Sequence, residues 1–195
     1  MPRKLRVEYP RAIYPVMNRG DRREPIFRDE EDRKLFLLTL GQCCGKTDWQ
    51  VHAWCLMANH FHLVVETPRA NLVAGMKWFL GTYRARFNRR HKLFGHLFSG
   101  RYKALVVDGS GNSYLRTVCD YVHLNPVRAK LLRAEQPLRA FVWSSFPEYL
   151  KAPHPAPAVV AGGSVVRRNG PAPGQRGRSA PVRVTDGRAA RTGGG

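Results

Sequence analysis

Two histidines separated by one residue form the part of this chain whose spacing most clearly suggests chemistry. His60 and His62 flank Phe61 in a stretch rich in β-forming residues. Because alternate side chains of a strand point to the same face of a sheet, both imidazoles are expected on one side and Phe61 on the other. Neutral imidazoles are common ligands of divalent metals, so the pattern indicates a metal site. Two histidines in a strand without a metal give the same pattern, and this alternative stays open.

A tyrosine in the second half of the chain could supply a nucleophile. Tyr121 and Asn125 are four residues apart in a segment with helical character, so they share one helical face. A tyrosine hydroxyl can attack phosphorus, and a metal helps by neutralising the phosphate oxygens. Asn125 offers an amide oxygen as a further metal ligand. The alternative is a half-buried helix tyrosine whose hydroxyl is in water.

A basic segment without any acidic residue follows the histidines. Between residues 77 and 103 the chain contains Lys77, Arg84, Arg86, Arg89, Arg90, Lys92, Arg101 and Lys103, with Phe87, Phe94, Phe98 and Tyr102 interspersed. Cationic side chains bind the backbone of a single-stranded nucleic acid, and aromatic rings stack on its unpaired bases. A solvated helix face normally mixes charges of both signs, so the segment favours nucleic-acid binding.

The composition agrees with a polyanionic partner. The chain has 195 residues, a formal net charge of +19 and 43% hydrophobic residues, enough apolar residues for a packed core. No stretch approaches the roughly 18 apolar residues of a membrane span, and the N-terminus lacks the apolar core of a secretory signal. The four cysteines form no CxxC pair. We therefore expect a reduced protein of the cytoplasm that binds nucleic acid rather than a membrane.

The charge divides the chain into two parts. Residues 151–195 contain Lys151 and seven arginines against Asp186, together with nine glycines, six prolines and no aromatic residue. Such a segment buries too little apolar surface to offset the entropy of ordering it. We predict one folded domain over residues 1–150 and a disordered basic tail over residues 151–195.

The hydrophobic pattern predicts the elements that must position these side chains. Strands are expected at 12–17, 49–57, 61–65 and 102–107, and helices at about 29–44, 72–87 and 113–123. Asp29 and Asn71 are the expected N-caps of the first two helices. The order β-α-β-β-α-β-α is typical of an α+β, ferredoxin-like split βαβ fold, with an antiparallel sheet and helices on one face.

Four motifs in this order resemble the REP-associated tyrosine transposases, which belong to the HUH single-tyrosine transposases of bacterial insertion sequences. They are Val-Met-Asn-Arg-Gly at 16–20, Cys-Leu-Met-Ala-Asn-His-Phe-His at 55–62, Gly-His-Leu-Phe-Ser-Gly-Arg-Tyr-Lys at 95–103, and Tyr-Val-His-Leu-Asn-Pro-Val-Arg-Ala at 121–129. The resemblance covers about residues 10–150. Ala58 and Pro15 depart from the family pattern, which usually has Pro and often His at these positions, but neither departure removes a ligand.

The resemblance implies a function for each candidate residue. His60 and His62 match the metal ligands of the family, Asn125 matches the position of an amide ligand, and Mg²⁺ or Mn²⁺ is the implied metal. Tyr121 matches the nucleophile that cleaves single-stranded DNA near hairpin-forming repeats, forming a 5′-phosphotyrosine and a free 3′-hydroxyl. A REP-associated member is expected to act as a monomer, whereas insertion-sequence relatives commonly act as dimers with shared sites.

Further DNA contacts and two other functions follow from the residues. Arg19 is an additional candidate for binding phosphate, together with Arg101 and the rest of the basic segment. The first alternative function is a non-catalytic nucleic-acid-binding module on a similar fold. The second is a zinc site formed by Cys55 with the two histidines, although no second cysteine pair completes a tetrahedral set.

Overall fold

A four-stranded antiparallel sheet organises the chain, whose computed structural model describes residues 6–107, 112–151, 159–161 and 164–166. The strands are β1 (Ala12–Arg19), β2 (Gln50–Met57), β3 (His60–Thr67) and β4 (Lys103–Ala104), in the spatial order β2-β3-β1-β4. The helices are α1 (Glu30–Thr47), α2 (Leu72–His91), α3 (Asn112–His123), α4 (Asn125–Arg128) and α5 (Phe146–Lys151). The α+β class and the order β1-α1-β2-β3-α2-β4-α3 confirm the prediction.

Residues after α5 are described only in part. Strands β5 (Val159–Ala161) and β6 (Ser164–Val166) form a separate antiparallel pair. The remainder of the predicted disordered tail at 151–195 lies outside the described residues. None of the described helices is long and apolar enough to cross a membrane.

Helices α1 and α2 begin at the predicted residues, but only α1 has a side-chain cap. The Asp29 side chain accepts a hydrogen bond from the backbone N–H of Asp32 at 3.0 Å, as an N-cap does. Asn71 makes no such bond at the start of α2. Its Oδ1 accepts instead from Trp49 Nε1 at 2.7 Å, so Asn71 occupies the predicted N-cap position of α2 but its side chain ties the helix to the start of β2 and does not cap it.

Helices α1 and α2 cover one face of the sheet, which we call the α1/α2 face. Phe36 of α1, Phe61 of β3 and Phe79 of α2 are fully buried there, and the Phe36 ring centroid lies 4.9 Å from each of the other two. Packed aromatic rings of this kind account for much of the apolar area buried in a small domain. This cluster fixes the inward direction of the odd-numbered residues of β3.

Helix α3 packs on the opposite face, the α3 face, so the prediction that the helices lie on one face is correct only for α1 and α2. Cys119 and Val122 of α3 join a second buried cluster with Cys55 of β2 and Val64 of β3. The physical reason is that β2 and β3 carry apolar side chains on both faces, and exposing either face would leave a large apolar surface in water. By alternation, His60 and His62 lie on the α3 face.

The fourth strand is shorter than predicted. A strand was expected over 102–107, but only Lys103–Ala104 pair with β1, and an isolated bridge between Ile13 and Val107 follows. The intervening Leu105 and Val106 are exposed, so burial does not hold them in the ladder. The preceding loop, predicted at 91–101, contains no regular element after α2 ends at His91.

Candidate metal and tyrosine site

The histidine pair lies at the start of β3, directly after the two-residue turn of the β2–β3 hairpin. The ring centroids of His60 and His62 are 5.2 Å apart. His60 Nδ1 lies 2.7 Å from Asn59 Oδ1, and Asn59 Nδ2 donates to the backbone carbonyl of Arg23 at 3.0 Å. Because a carbonyl oxygen only accepts, His60 Nδ1 carries the proton and Nε2 keeps its lone pair. The second bond of Asn59 fixes this orientation, so His60 presents Nε2 as a ligand atom.

The segment 20–27 holds the hairpin in place. The backbone N–H of Gly20 donates to Asn59 O at 2.8 Å, and those of Ile26 and Phe27 donate to Ala58 O. A Cβ at position 20 would lie 2.0 Å from the carbonyl oxygen of Glu24, so only glycine fits there. The Val-Met-Asn-Arg-Gly motif thus acts on His60 through the backbone, a role that sequence reasoning did not assign to it.

Both imidazoles are kept neutral by their surroundings. Burial, and then the positive charge of Arg19, lower the pKa of His60. Burial, followed by His60 and Arg19, lowers the pKa of His62 to about 4. A neutral imidazole is the form that binds a metal ion. Arg19 Nε is itself buried without a hydrogen-bond partner among the described residues, which leaves a cationic donor beside the histidines.

Tyr121 lies beside the histidine pair, because α3 packs on the same face of the sheet. Its ring centroid is 6.3 Å from that of His62. The side chain is 46% exposed, so its hydroxyl remains accessible to a large substrate. The Arg128 guanidinium carbon lies 4.5 Å from the Tyr121 ring centroid, a cation–π contact that stabilises the position of the ring. The structure thus brings the predicted nucleophile next to the predicted histidine pair.

Asn125 joins α3 to α4 and keeps its amide oxygen available. Its Nδ2 donates to the backbone carbonyls of Tyr121 at 3.0 Å and Val122 at 3.1 Å, which satisfies the end of α3. Helix α3 ends at His123, as predicted, and α4 begins at Asn125 with Pro126 in its first turn, where proline is tolerated. With Nδ2 engaged, Oδ1 is the atom of Asn125 that could bind a metal.

His123 anchors the tyrosine helix to the sheet, and sequence reasoning missed it. Its Nε2 lies 2.8 Å from Ser145 Oγ, and that oxygen accepts from the backbone N–H of Trp54 in β2 at 2.9 Å. The rings of Phe146 and Tyr149 enclose the imidazole. His123 lies within the Tyr-Val-His-Leu-Asn-Pro motif, and this position was the available signal for a role in placing Tyr121.

Two of the predicted DNA-binding arginines are engaged within the fold. Arg86 donates to Thr39 Oγ1 at 2.7 Å, and Arg90 forms salt bridges with Asp29 and with the fully buried Asp32. Both tie α2 to α1. His91 also contacts Asp32, and among the described residues Asp29, Asp32 and His91 are the only three potential ligands of this kind within 4.8 Å of one another. Because Arg90 already neutralises the carboxylates, we interpret this cluster as a structural ion pair on the α1/α2 face.

The other predicted DNA contacts lie in three places. On the α3 face, Lys103 is the Cα partner of Met17, which is the partner of His62, so Lys103 and His62 share one row across the sheet. On α2, Lys77 and Arg84 line a cleft with Asn18, whereas Arg89 is exposed. Arg101 lines a separate groove beside β4.

Cys55 is placed close to the histidines but is not suited to a zinc site. It is the Cα partner of His62, yet the side chain is fully buried, and burial raises the pKa of its thiol to about 12. Its Sγ contacts Met57 Sδ at 3.7 Å. The group of three close potential ligands found in the described part of the chain, Asp29, Asp32 and His91, does not include Cys55. The thiol therefore packs as a small apolar group, as do the other buried free cysteines.

Comparison with known proteins agrees with this arrangement. The family model described as "Transposase IS200 like" matches residues 8–125. The chain belongs to the IS200-like transposase family. A solved REP-associated tyrosine transposase bound to a REP hairpin has the same fold, with a TM-score of 0.65 and 13% identity over 87% of this chain and 96% of that chain. The resemblance to REP-associated tyrosine transposases is thereby confirmed.

Two further comparisons gave a weaker structural match and no curated match. A putative transposase from Deinococcus radiodurans R1 has 17% identity and a TM-score of 0.43 over 62% of this chain and 97% of that chain. No curated protein matches the sequence.

Proposed function

We propose that this transposase cleaves and rejoins single-stranded DNA through a covalent bond to Tyr121. The observation that carries the proposal is the position of the exposed Tyr121 ring, 6.3 Å from the ring of His62 on the α3 face. A binding module needs neither a tyrosine held beside two neutral imidazoles nor an asparagine that fixes the tautomer of one of them.

The proposed step exchanges one phosphate ester for another. Tyr121 Oη attacks the scissile phosphorus, the bond from phosphorus to the 3′ oxygen breaks, and a 5′-phosphotyrosine forms. The phenol loses its proton to solvent, and the departing 3′ oxygen takes one up. Because an ester bond is kept throughout, a 3′-hydroxyl can reverse the step and join strands without ATP. Positioning and electrostatics supply most of the rate in such transfers.

His60, His62 and Asn125 are the residues that would hold Mg²⁺ or Mn²⁺. The donor set fits: Nε2 of His60 is the unprotonated nitrogen, both imidazoles have lowered pKa values, and Nδ2 of Asn125 is already engaged. When bound, the metal supplies positive charge to the phosphate oxygens and orients the scissile bond.

Single-stranded DNA with hairpin-forming repeats is the proposed substrate. Arg19 and Lys103 lie on the α3 face, where their positive charges would attract a strand bound at Tyr121, and the exposed cations of α2 add attraction for phosphate. The solved relative with the same fold was bound to a REP hairpin. Since the histidines and Tyr121 meet within one chain, we propose that a monomer is active. The buried free cysteines fit the reducing cytoplasm as its compartment.

The test is formation of a covalent adduct with a labelled single-stranded hairpin in Mn²⁺. We expect a DNA-linked protein band that resists denaturation, that disappears in Tyr121→Phe and that does not form in EDTA. Tyr114→Phe is the matched control, because Tyr114 is also exposed on α3 but two turns earlier. An adduct that persists in Tyr121→Phe contradicts the nucleophile assignment. Tight, salt-sensitive binding with no adduct on any hairpin favours the non-catalytic binding module.

A further inference from the structure

The Tyr-Val-His-Leu-Asn-Pro-Val-Arg-Ala motif contains an arginine that the reaction step proposed above does not use. Arg128 lies on α4, and its guanidinium carbon is 4.5 Å from the centroid of the Tyr121 ring. The two residues are seven positions apart, which is close to two turns of a helix, so their side chains share one helical face. The arginine therefore lies directly beside the proposed nucleophile.

The backbone keeps the two residues in register across the junction of α3 and α4. The N–H of Leu124 donates to Asp120 O at 2.9 Å, and the N–H of Arg128 donates to Leu124 O at 3.1 Å. Both bonds have the four-residue spacing of an α-helix, so the turn between α3 and α4 continues the helical path. The side chain of Asn125 adds two bonds to carbonyls in the last turn of α3. The fold thereby fixes the backbone of Arg128 relative to Tyr121.

The guanidinium of Arg128 is not paired with an anion of the protein. Within the part of the chain that the structure describes, no carboxylate or carbonyl accepts from its side chain, which contacts the Tyr121 ring. Asp120, next to Tyr121 in the chain, lies 3.8 Å from Arg116 instead. Arg128 is exposed, and an exposed cation–π contact stabilises a fold only weakly. An accessible cation placed beside a nucleophile therefore points to an anionic ligand.

The anion that must approach Tyr121 in the proposed reaction is the scissile phosphate. Its phosphorus becomes bonded to Tyr121 Oη, so its non-bridging oxygens come close to the ring that Arg128 already contacts. A guanidinium carries five N–H donors, and its flexible stem allows it to move from the ring to one of these oxygens. Cationic donors directed at a transferring phosphoryl group lower the barrier to its transfer.

We propose that Arg128 is a catalytic residue, which leaves the Tyr121 ring and donates to a non-bridging oxygen of the phosphate that Tyr121 attacks. The inference rests on the proposed function and adds to it a residue that acts on the reacting group. In the free protein the guanidinium stabilises the position of the ring, and in the 5′-phosphotyrosine it neutralises the charge of the diester. It transfers no proton, so the exchange of ester bonds proposed for Tyr121 stays balanced.

Arg128→Gln removes the cation and keeps a polar side chain. Arg116→Gln is the matched control, because Arg116 is also an exposed arginine near Tyr121 in the chain but lies beside Asp120. Both substitutions lower the net charge by one, so they change the general attraction for DNA to a similar extent. Neither side chain is buried, so both variants are expected to fold, and an unchanged Tm checks this.

The rate of adduct formation is measured in single turnovers with Mn²⁺ and a saturating labelled hairpin, and DNA affinity is measured by fluorescence anisotropy in EDTA. We expect Arg128→Gln to slow the covalent step about 100-fold, as loss of one transition-state donor does. Its DNA affinity should equal that of Arg116→Gln, which should react at the wild-type rate. Arg128→Lys should recover only part of the rate, because an ammonium keeps the charge but lacks the planar set of donors.

Sulfur substitution in the DNA tests which atom Arg128 contacts. The hairpin is prepared with either non-bridging oxygen of the scissile phosphate replaced by sulfur, which accepts hydrogen bonds poorly. The wild-type protein should react more slowly with one of the two stereoisomers. In Arg128→Gln this difference should largely disappear, because the effects of removing both partners of one contact are not additive.

The outcomes separate this inference from the proposed function. A wild-type rate in Arg128→Gln, an equal loss in Arg116→Gln, or the same ratio between the sulfur stereoisomers in wild type and Arg128→Gln overturns the catalytic role of Arg128. The last result would mean that the arginine acts only on the Tyr121 ring. If the wild-type protein forms no adduct, the proposed function fails and this inference fails with it, whereas a wild-type adduct with a normal Arg128→Gln rate overturns the inference alone.

Discussion

Replacing Gly20 by alanine should weaken the metal site, because the added side chain would displace the backbone that holds the hairpin of His60. The added Cβ would lie 2.0 Å from Glu24 O and 3.0 Å from Ile26 Cγ2. The carbonyl must move by about 1 Å before the contact becomes acceptable, and overpacking of this kind destabilises a protein by about 1–3 kcal/mol. We therefore expect the free energy of unfolding, measured in urea, to fall by about 2 kcal/mol.

The same displacement should weaken metal binding. The segment that must move carries Arg23 O, which orients Asn59, and Gly20 N, which holds the hairpin. Without that orientation, His60 no longer presents Nε2 reliably. Loss of such a supporting contact typically lowers metal affinity about 10–100-fold. Isothermal titration of the folded Gly20→Ala variant with Mn²⁺ at pH 7.5 measures this loss against wild type.

Two other glycines separate a local effect from general destabilisation. A Cβ at Gly75 would lie 2.1 Å from the Trp49 ring, so Gly75→Ala should also destabilise the fold, but far from the histidines. Its Mn²⁺ affinity should remain that of wild type. Gly45→Ala meets nothing within 4 Å and should stabilise α1 by about 0.5–1 kcal/mol. Wild-type stability in Gly20→Ala, or reduced stability with unchanged Mn²⁺ affinity, would refute the reasoning.

Four further substitutions test individual contacts. Asn59→Ala removes the acceptor of His60 Nδ1, so the Mn²⁺ affinity measured by calorimetry should fall about tenfold or more, with little change in Tm. An unchanged affinity would show that this contact is dispensable. Burial lowers the pKa of His123 to about 4, so its contribution to stability is complete above pH 6.5 and is lost as the pH falls, by about 1.4 kcal/mol per pH unit. In urea unfolding, the free energy of unfolding of His123→Gln should therefore fall less steeply than that of wild type between pH 6.5 and 5. Arg90→Gln should lower the unfolding free energy by about 2–3 kcal/mol, because it leaves the buried carboxylate of α1 poorly paired, while single-stranded DNA affinity stays close to wild type. Arg84→Gln should lower the affinity for single-stranded DNA and leave the unfolding free energy close to that of wild type. Equal loss of DNA affinity in the two variants would contradict the structural role of Arg90.

The local elements were largely predictable because they depend on neighbours in the sequence. The cap of α1 and the hairpin at Ala58 and Asn59 use side chains and turns within a few residues. The predictions failed where a distant partner decided the outcome. Asn71 binds Trp49 instead of capping its own helix, and β4 is short because nothing buries Leu105 and Val106.

The candidate site shows the same division. Alternation along β3 places both histidines on one face, as predicted from their spacing. It does not say which helix covers that face, and the structure assigns α3 to it through the cluster around Val64 and Val122. Basic residues were less predictable still, because Arg86 and Arg90 find acceptors on α1 that are more than 40 residues away in the chain.

The sequence by itself determined the types of residue, their periodicities and the family to which the motifs point. These follow from covalent order, since the alternation of a strand and the turn of a helix act over a few residues. Only the tertiary structure decided that Tyr121 faces His62, that Asn59 sets the tautomer of His60 and that His123 reaches Ser145. Each depends on burial and hydrogen bonds between segments, which exist only after both faces of the sheet have been covered.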